Sequence, residues 1–268
     1  MPVMPMGGDA ELFTDGQAYE RLMGRWSRIA AETFLHWLDA PKNLGWLDVG
    51  CGNGAFTEEL IARCAPAAVS AIDPSDDQLA YARTRPGVKM TEFRVGDAEK
   101  LPFGDGTFDV AVMALVISFL RDPNKAAAEM ARVVRPGGWV AAYMWDLPGG
   151  GAPTYPIYLA LESMGEAAVR PPNSALSERD ALRDLWEKIG LESVNTHVIR
   201  IETVYSDFND FCDSNLVPIG PQGKVISRMS ASAREELRAR LRDYLPVSSD
   251  GRIVYESFAS AVKGRVPG

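Results

Sequence analysis

The residues best placed to do chemistry lie in one stretch, Leu47-Asp48-Val49-Gly50-Cys51-Gly52-Asn53-Gly54. An apolar run ends there in three alternate glycines. A helix-forming segment follows, with Phe56, Leu60 and Cys64 on one face. Glycines at such a bend let the chain turn tightly and let a ligand come close to the main chain. The unpaired N–H groups at the helix start then point at that ligand. The spacing G-x-G-x-G departs from the G-x-G-x-x-G fingerprint of dinucleotide sites, and no Gly-Lys-Ser/Thr follows to complete a phosphate loop. Pyrophosphate is therefore not the first choice of ligand. Asp73 stands at the end of a second apolar run, where a carboxylate accepts hydrogen bonds from both hydroxyls of a ribose. Asp97, within Gly96-Asp97-Ala98-Glu99, follows a third run and suits an exocyclic amine such as that of adenine. Together these groups read as a site for an adenosine without phosphates.

The other reactive side chains carry weaker signals. Cys51 has no histidine near it in sequence and reads as inert packing. His36 and His197 read as packing residues on a helix and a strand, and no metal site is expected. Cys51, Cys64 and Cys212 form no CxxC pair, which argues against disulfides and structural zinc and fits a reducing cytoplasm. Trp145 and Asp146 follow the fifth strand, where loops line the ligand crevice of doubly wound sheets. The arginines between Arg234 and Arg242 alternate with Glu235, Glu236 and Asp243, as on a solvated helix face.

Positioning these groups requires a sheet. Apolar strands are expected at 45–50, 68–72, 88–95, 108–115 and 139–144, with helices between them and a turn at 135–138. Strands apolar throughout and separated by helices imply a parallel sheet covered on both faces. Ser75 and Gln78 read as a capping box, and Ser232 with Glu235 as the cap of a later helix. The expected architecture is α/β, a Rossmann-like doubly wound sheet of about seven mostly parallel strands. An N-terminal helix and helical insertions form a cap over it. The chain reads as one domain, residues 1–268. The cap helix is expected at 17–40, after a loose segment over 1–16, and the ligand-binding core at 45–146. Insertions fall at 147–190 and 206–250, and C-terminal strands at 191–205 and 252–264. Gly149-Gly150-Gly151 reads as a flexible hinge.

Five stretches in fixed order carry a family resemblance: LDVGCGNG (47–54), AIDPS (71–75), GDAEKLPF (96–103), TFDVAVMALVISFLRDP (107–123) and RVVRPGGWVAAYMWD (132–146). A weaker match covers YERLMGRWSR (19–28). The chain resembles class I S-adenosyl-L-methionine-dependent methyltransferases of type 11, similar to the ubiquinone and menaquinone biosynthesis enzymes. The resemblance implies that Gly50, Cys51 and Gly52 pack on the methionine part of the cofactor. Asp73 would hold the ribose, Asp97 with Ala98 the adenine, and Pro74 would also contact the cofactor. Ala114 and Leu115 would lie near the sulfonium, and Arg25 would pair with the cofactor carboxylate. Ser118 stands where relatives often carry His or Asn. Ser118, Asp146 and Tyr19 are candidate catalytic residues, with Tyr143, Tyr155 and Gln222 as further polar groups near the acceptor. The implied reaction is in-line methyl transfer to a small organic acceptor. A non-catalytic cofactor-binding protein is the alternative, and an NAD(P)-dependent oxidoreductase fits the glycine spacing less well.

Composition agrees. The 268 residues, 46% of them hydrophobic, are enough for a core that needs no disulfides. Net charge is −8, from 28 basic and 36 acidic side chains, which weighs against a nucleic-acid partner. The longest apolar run, 110–120, falls short of the ~20 residues a membrane span needs. The segment 1–8 lacks the charged-then-apolar pattern of a secretory leader. A cytoplasmic location is expected.

Overall fold

A computed structural model describes residues 20–167 and 169–268. The loose segment expected over 1–16, the first turn of the helix expected from 17, and Tyr19 lie outside the described residues.

The strands are β1 (Gly45–Val49), β2 (Ala68–Asp73), β3 (Thr91–Val95), β4 (Phe108–Ala114), β5 (Val134–Trp145), β6 (Glu192–Tyr205) and β7 (Ile253–Arg265). They form a single sheet in the order β3-β2-β1-β4-β5-β7-β6. β1 to β5 pair in parallel, and β7 runs antiparallel to both of its neighbours. Trp46, Leu47 and Val110 to Val112 are fully buried, as strands covered on both faces require. The chain winds outward from β1 to β3 and then returns to β4 on the other side of β1. That reversal opens a crevice beyond the C-terminal ends of β1 and β4.

Two strands differ from expectation. β3 starts at Thr91 because Pro86–Val88 forms a 3-10 turn that proline opens. Residues 135–138 are not a turn ahead of β5 but fall within it. Phe108 pairs with Val134 but Val110 pairs with Trp139, so the extra residues bulge out of register.

Helix α1 (Arg25–Leu38) follows a π-helical turn, Glu20–Gly24. Its apolar face lies on the sheet, and the Phe34 ring packs 4.8 Å from Tyr143 and 6.0 Å from Phe56. Lys263 on β7 donates to the carbonyls of Trp37 and Leu38, at 2.9 and 3.2 Å, serving the open end of the helix. His197 stacks on Trp37 at 5.5 Å, a packing role. Helices α2 (Ala55–Cys64), α3 (Asp76–Ala82) and α4 (Pro123–Val133) join the parallel strands. Helices α5 (Tyr155–Ser163) and α6 (Arg179–Lys188) follow β5. Between β6 and β7 come α7 (Phe208–Asn215), α8 (Gly220–Arg228) and α9 (Ala231–Tyr244). The cap of α9 is Ser230, whose Oγ accepts from the Ala233 N–H at 3.2 Å, while Ser232 bonds Ser230.

The glycine triplet 149–151 is no hinge. The Gly149 N–H donates to the Asp146 carboxylate at 2.8 Å and the Gly151 N–H to the Asp146 carbonyl at 2.7 Å. Gly151 also accepts from the Phe258 N–H at 2.9 Å, and a Cβ on it would overlap the Phe258 carbonyl. Close backbone approach, not freedom, is what these glycines provide. Among the described residues no helix is long and apolar enough to cross a membrane, and no cluster of side chains is arranged to hold a metal ion.

Candidate functional site

A cavity of about 290 Å³ opens at the C-terminal ends of β1 to β5. Gly50, Cys51, Gly52, Asp73, Pro74, Asp97, Ala98, Ala114 and Leu115 all line it.

The glycine loop is shaped by its contacts. Gly50 and Cys51 both donate their N–H to the Ile72 carbonyl, at 2.8 and 2.9 Å, pinning the loop to β2. Gly50, Gly52 and Gly54 all have positive φ. A Cβ at Gly50 would sit 2.6 Å from Val116 Cγ2, and one at Gly54 2.9 Å from Ala82 Cβ. A Cβ at Gly52 would meet nothing within 4 Å. Gly50 and Gly54 therefore fit the loop against its neighbours, while Gly52 leaves open room for a ligand over the backbone.

Asp73 is held by the same loop. Its Oδ2 accepts from the Gly52 N–H at 2.8 Å and its Oδ1 from the Ser75 N–H at 2.9 Å. Burial raises its pKa, and the two N–H donors oppose that. Each oxygen keeps a lone pair for a ligand hydroxyl. Asp97 is half exposed and engaged twice. Its Oδ1 accepts from the Glu99 N–H at 2.9 Å, and its Oδ2 from Arg121 at 3.0 Å. Leu115 carries a left-handed φ of 62° and donates its N–H to the Tyr143 carbonyl at 2.8 Å, strain of the kind found at ligand sites.

Sequence reasoning missed several neighbours. Gln78 does not close a capping box. Its N–H bonds Ser75 Oγ at 3.3 Å, but its side chain lines the cavity with a buried, unpartnered Oε1. Asp48, beneath the loop, is fully buried. Its Oδ2 accepts from Thr57 Oγ1 at 2.6 Å, and Oδ1 has no hydrogen-bond partner. Burial pushes its pKa from 3.8 to about 7. Burial first, and then Asp48, hold the Cys51 thiol far above its ordinary pKa, so it is no nucleophile. Arg85, nearly buried, donates to the Asn53 carbonyl at 2.6 Å, to Glu58 at 3.0 Å and to Glu20 at 2.6 Å. Glu20 also meets Arg28 and accepts from Asn53 Nδ2 at 3.3 Å. This network ties the turn before α1 to the glycine loop. Leu22 and Met23, on that turn, line the cavity. Only the spacing of Glu20, Glu58 and Arg85 on separate elements kept the network out of sequence view.

Three expectations are corrected. Arg25 is not among the lining residues. Its guanidinium lies 4.3 Å from the Trp26 ring and 4.4 Å from the Tyr205 ring and reaches Asp210 at 3.7 Å, because the α1 start turns it toward the 206–250 insertion. Ser118 is fully buried behind the cavity wall, its Oγ unpartnered. The Asp146 carboxylate is spent on the turn at Gly149 and does not line the cavity. Tyr155 packs on Gly150, whereas Tyr143, Trp145 and Gln222 do line the cavity.

Comparison with known proteins adds to the geometry. Residues 47–142 match the family described as a methyltransferase domain. The chain is 36% identical over 116 residues to 2-methyl-6-phytyl-1,4-hydroquinone methyltransferase 2, chloroplastic, of Oryza sativa subsp. japonica, covering 43% of this chain and 33% of that protein. It is 35% identical over 130 residues to demethylmenaquinone methyltransferase of Thermus thermophilus, covering 48% of this chain and 57% of that one. The chain thus spans a third to somewhat over half the length of these curated relatives. Its fold is similar to that of phosphoethanolamine N-methyltransferase 2 of Haemonchus contortus, solved with S-adenosyl-L-methionine. That match has a TM-score of 0.59 at 15% identity and covers 98% of this chain and 61% of that one.

Proposed function

From a chain that carries a class I methyltransferase domain of type 11, we propose an S-adenosyl-L-methionine-dependent methyltransferase acting on a small organic acceptor. The observation that carries this reading is Asp73. Its carboxylate is fixed by two backbone N–H groups, faces the cavity and stands across from the open Gly52. Asp73 and Pro74 bind the ribose, and Asp97 with Ala98 binds the adenine. Gly50, Cys51 and Gly52 bind the methionine part, and Ala114 and Leu115 wall the reacting end. Gln78 joins this set as a polar side chain in the same wall. When bound, the cofactor supplies a methyl group on a positively charged sulfur, open to in-line displacement.

The rest of the protein orients the acceptor and excludes water. Holding two reactants in line is worth up to ~7–11 kcal/mol, so a cavity that positions well needs little further chemistry. Leu22 and Met23 close one side, Trp145, Leu147 and Tyr158 another, and Ile219 and Pro221 reach in from the insertion. The cap is thus made by the turn at 20–24 with α1, by 147–190 and by 206–250, over a core at 45–146. A concave, mostly apolar cavity of this size fits a small molecule rather than nucleic acid or protein. The three free cysteines fit a cytoplasmic location.

Thermal unfolding with S-adenosylhomocysteine, and with NAD as control, tests the reading. At ligand ~100-fold above its dissociation constant, binding stabilises by about 2.7 kcal/mol, a shift of several degrees. The shift is expected with S-adenosylhomocysteine alone and is expected to vanish in Asp73→Ala. A shift with NAD alone would replace the methyltransferase with a dehydrogenase. Cofactor binding without turnover of any acceptor would leave a binding protein.

A further inference from the structure

Asp97 follows β3 and lines the cavity, with its side chain 51% exposed. A carboxylate so exposed turns about a broad terminal torsion unless something holds it. Two donors from different segments hold this one. The Glu99 N–H reaches Oδ1 at 2.9 Å, and Arg121 Nη2 reaches Oδ2 at 3.0 Å. The Glu99 bond is local to the loop and fixes one oxygen. The Arg121 bond comes from the segment after β4 and fixes the other, and with it the plane of the carboxylate. Each oxygen keeps a lone pair for a further donor.

Arg121 is itself placed. Its Nε lies 3.6 Å from Oε1 of Glu99, a nearly buried carboxylate whose Oε1 also accepts from the Asp122 N–H at 3.0 Å. Asp122 in turn caps α4, accepting from the Lys125 N–H at 3.1 Å. Just before the arginine, the Leu120 carbonyl accepts from Asn173 Nδ2 at 2.6 Å and the Ser118 carbonyl from the Asn173 N–H at 3.1 Å. Arg121 therefore projects from a segment pinned on both sides. Its neighbours Phe119 and Leu120 line the cavity, and Arg121 does not. Its reach to that wall is through Asp97. Arg121 is 61% exposed, so water screens the pair and the fold gains little from it. What the pair does fix is the direction in which Asp97 can accept.

Resting on the methyltransferase reading, we infer that Arg121 is a positioning residue for the base of the cofactor. It holds the Asp97 carboxylate in the orientation that accepts from the exocyclic amine of adenine, and so sets the preference for adenine over an oxo base. An amine donates to a carboxylate, whereas an oxo group at the same place presents a second acceptor and meets it with repulsion. A site built to bond a donor rejects the analogue that lacks it, and the rejection is only as sharp as the acceptor is fixed. The guanidinium suits this task because its planar fork reaches Asp97 with one nitrogen and Glu99 with another.

Calorimetry on the full chain tests this without turnover. The probes are S-adenosylhomocysteine and S-inosylhomocysteine, which carries an oxygen in place of the amine. The wild type should prefer the adenosyl compound by about thirtyfold. Arg121→Ala should weaken that compound about tenfold and the inosyl compound less than about twofold, so that most of the preference is lost. The thermal midpoint of the unliganded variant should stay at the wild-type value, which a purely structural role for Arg121 would not allow. Asp97→Asn should lose the preference as well. In that background Arg121→Ala should change nothing further, because the arginine acts through the carboxylate. Equal weakening of both compounds, an unmoved preference, tighter binding in Arg121→Ala, or additive losses in the double variant would each overturn the inference, as would a wild type that binds both compounds alike. In each of these cases S-adenosylhomocysteine still binds and the methyltransferase reading stands. A wild type that binds neither compound would sink both.

Discussion

Asp48 gives the protein a pH signature of its own. Its folded-state pKa of about 7 stands above the ordinary 3.8, so the native state keeps a proton that the unfolded chain releases. Raising the pH from about 4 to about 7 therefore draws off a proton the fold prefers to hold. The Asp48 contribution to stability falls across that window and is flat above it. Asp48→Asn keeps the shape, accepts from Thr57 and has no charge to bury. Denaturant midpoints measured from pH 4 to 8 should show the variant gaining on the wild type by roughly 3–4 kcal/mol by pH 7. A parallel pair of pH curves would refute a buried titrating Asp48. Asp73 and the glycines were legible because their types and spacing carry meaning without a partner. Arg25 was not, because its place depends on Tyr205 and Asp210, which reach it only once the insertion is folded. Gln78 misled because its side chain had two uses, a cap or a cavity wall, and spacing cannot separate them.

At the scale of elements, the turn at Glu20–Gly24 is fastened to the glycine loop by Arg85. The arginine holds Glu20, Glu58 and the Asn53 carbonyl together with little exposure to water. Breaking a buried charge pair from one side leaves the other charges uncompensated. Arg85→Ala should cost about 3 kcal/mol of stability in urea unfolding, at the lower end for such pairs because the carboxylates keep some solvent. It should also speed S-adenosylhomocysteine release in stopped-flow fluorescence. Glu20→Gln, which leaves Glu58 with Arg85, should cost under ~1 kcal/mol yet speed release as well. Release at the wild-type rate in both variants would leave the network a purely structural one. Element type was legible wherever periodicity was long, as in α1, α4 and α9. The triplet at 149–151 was misread because glycine serves both freedom and close approach, and only the position of β7 decides between them.

At the scale of the whole molecule, stability should grade across the sheet. β3 is an edge strand with largely exposed residues, while β1 and β4 are enclosed on both faces. Hydrogen exchange read by mass spectrometry should open the π-helical turn and β3 first and β1, β4 and β5 last. Early exchange of β4 would contradict a single central core. The parallel half of this sheet was legible in five apolar runs. The strands at 191–205 and 252–264 were legible too, but their antiparallel pairing was not, because nothing local in 252–264 says which neighbours that strand will choose. The choice has a consequence for how the protein comes to exist. β7 is the last strand along the chain, yet it fills the slot between β5 and β6. A ribosome that has delivered everything through α9 has made a half-sheet with one flank of β5 bare and β6 without any partner. The nascent chain must guard an apolar, hydrogen-bonding flank until the final strand slides in, and that interval is when a holding chaperone would matter most.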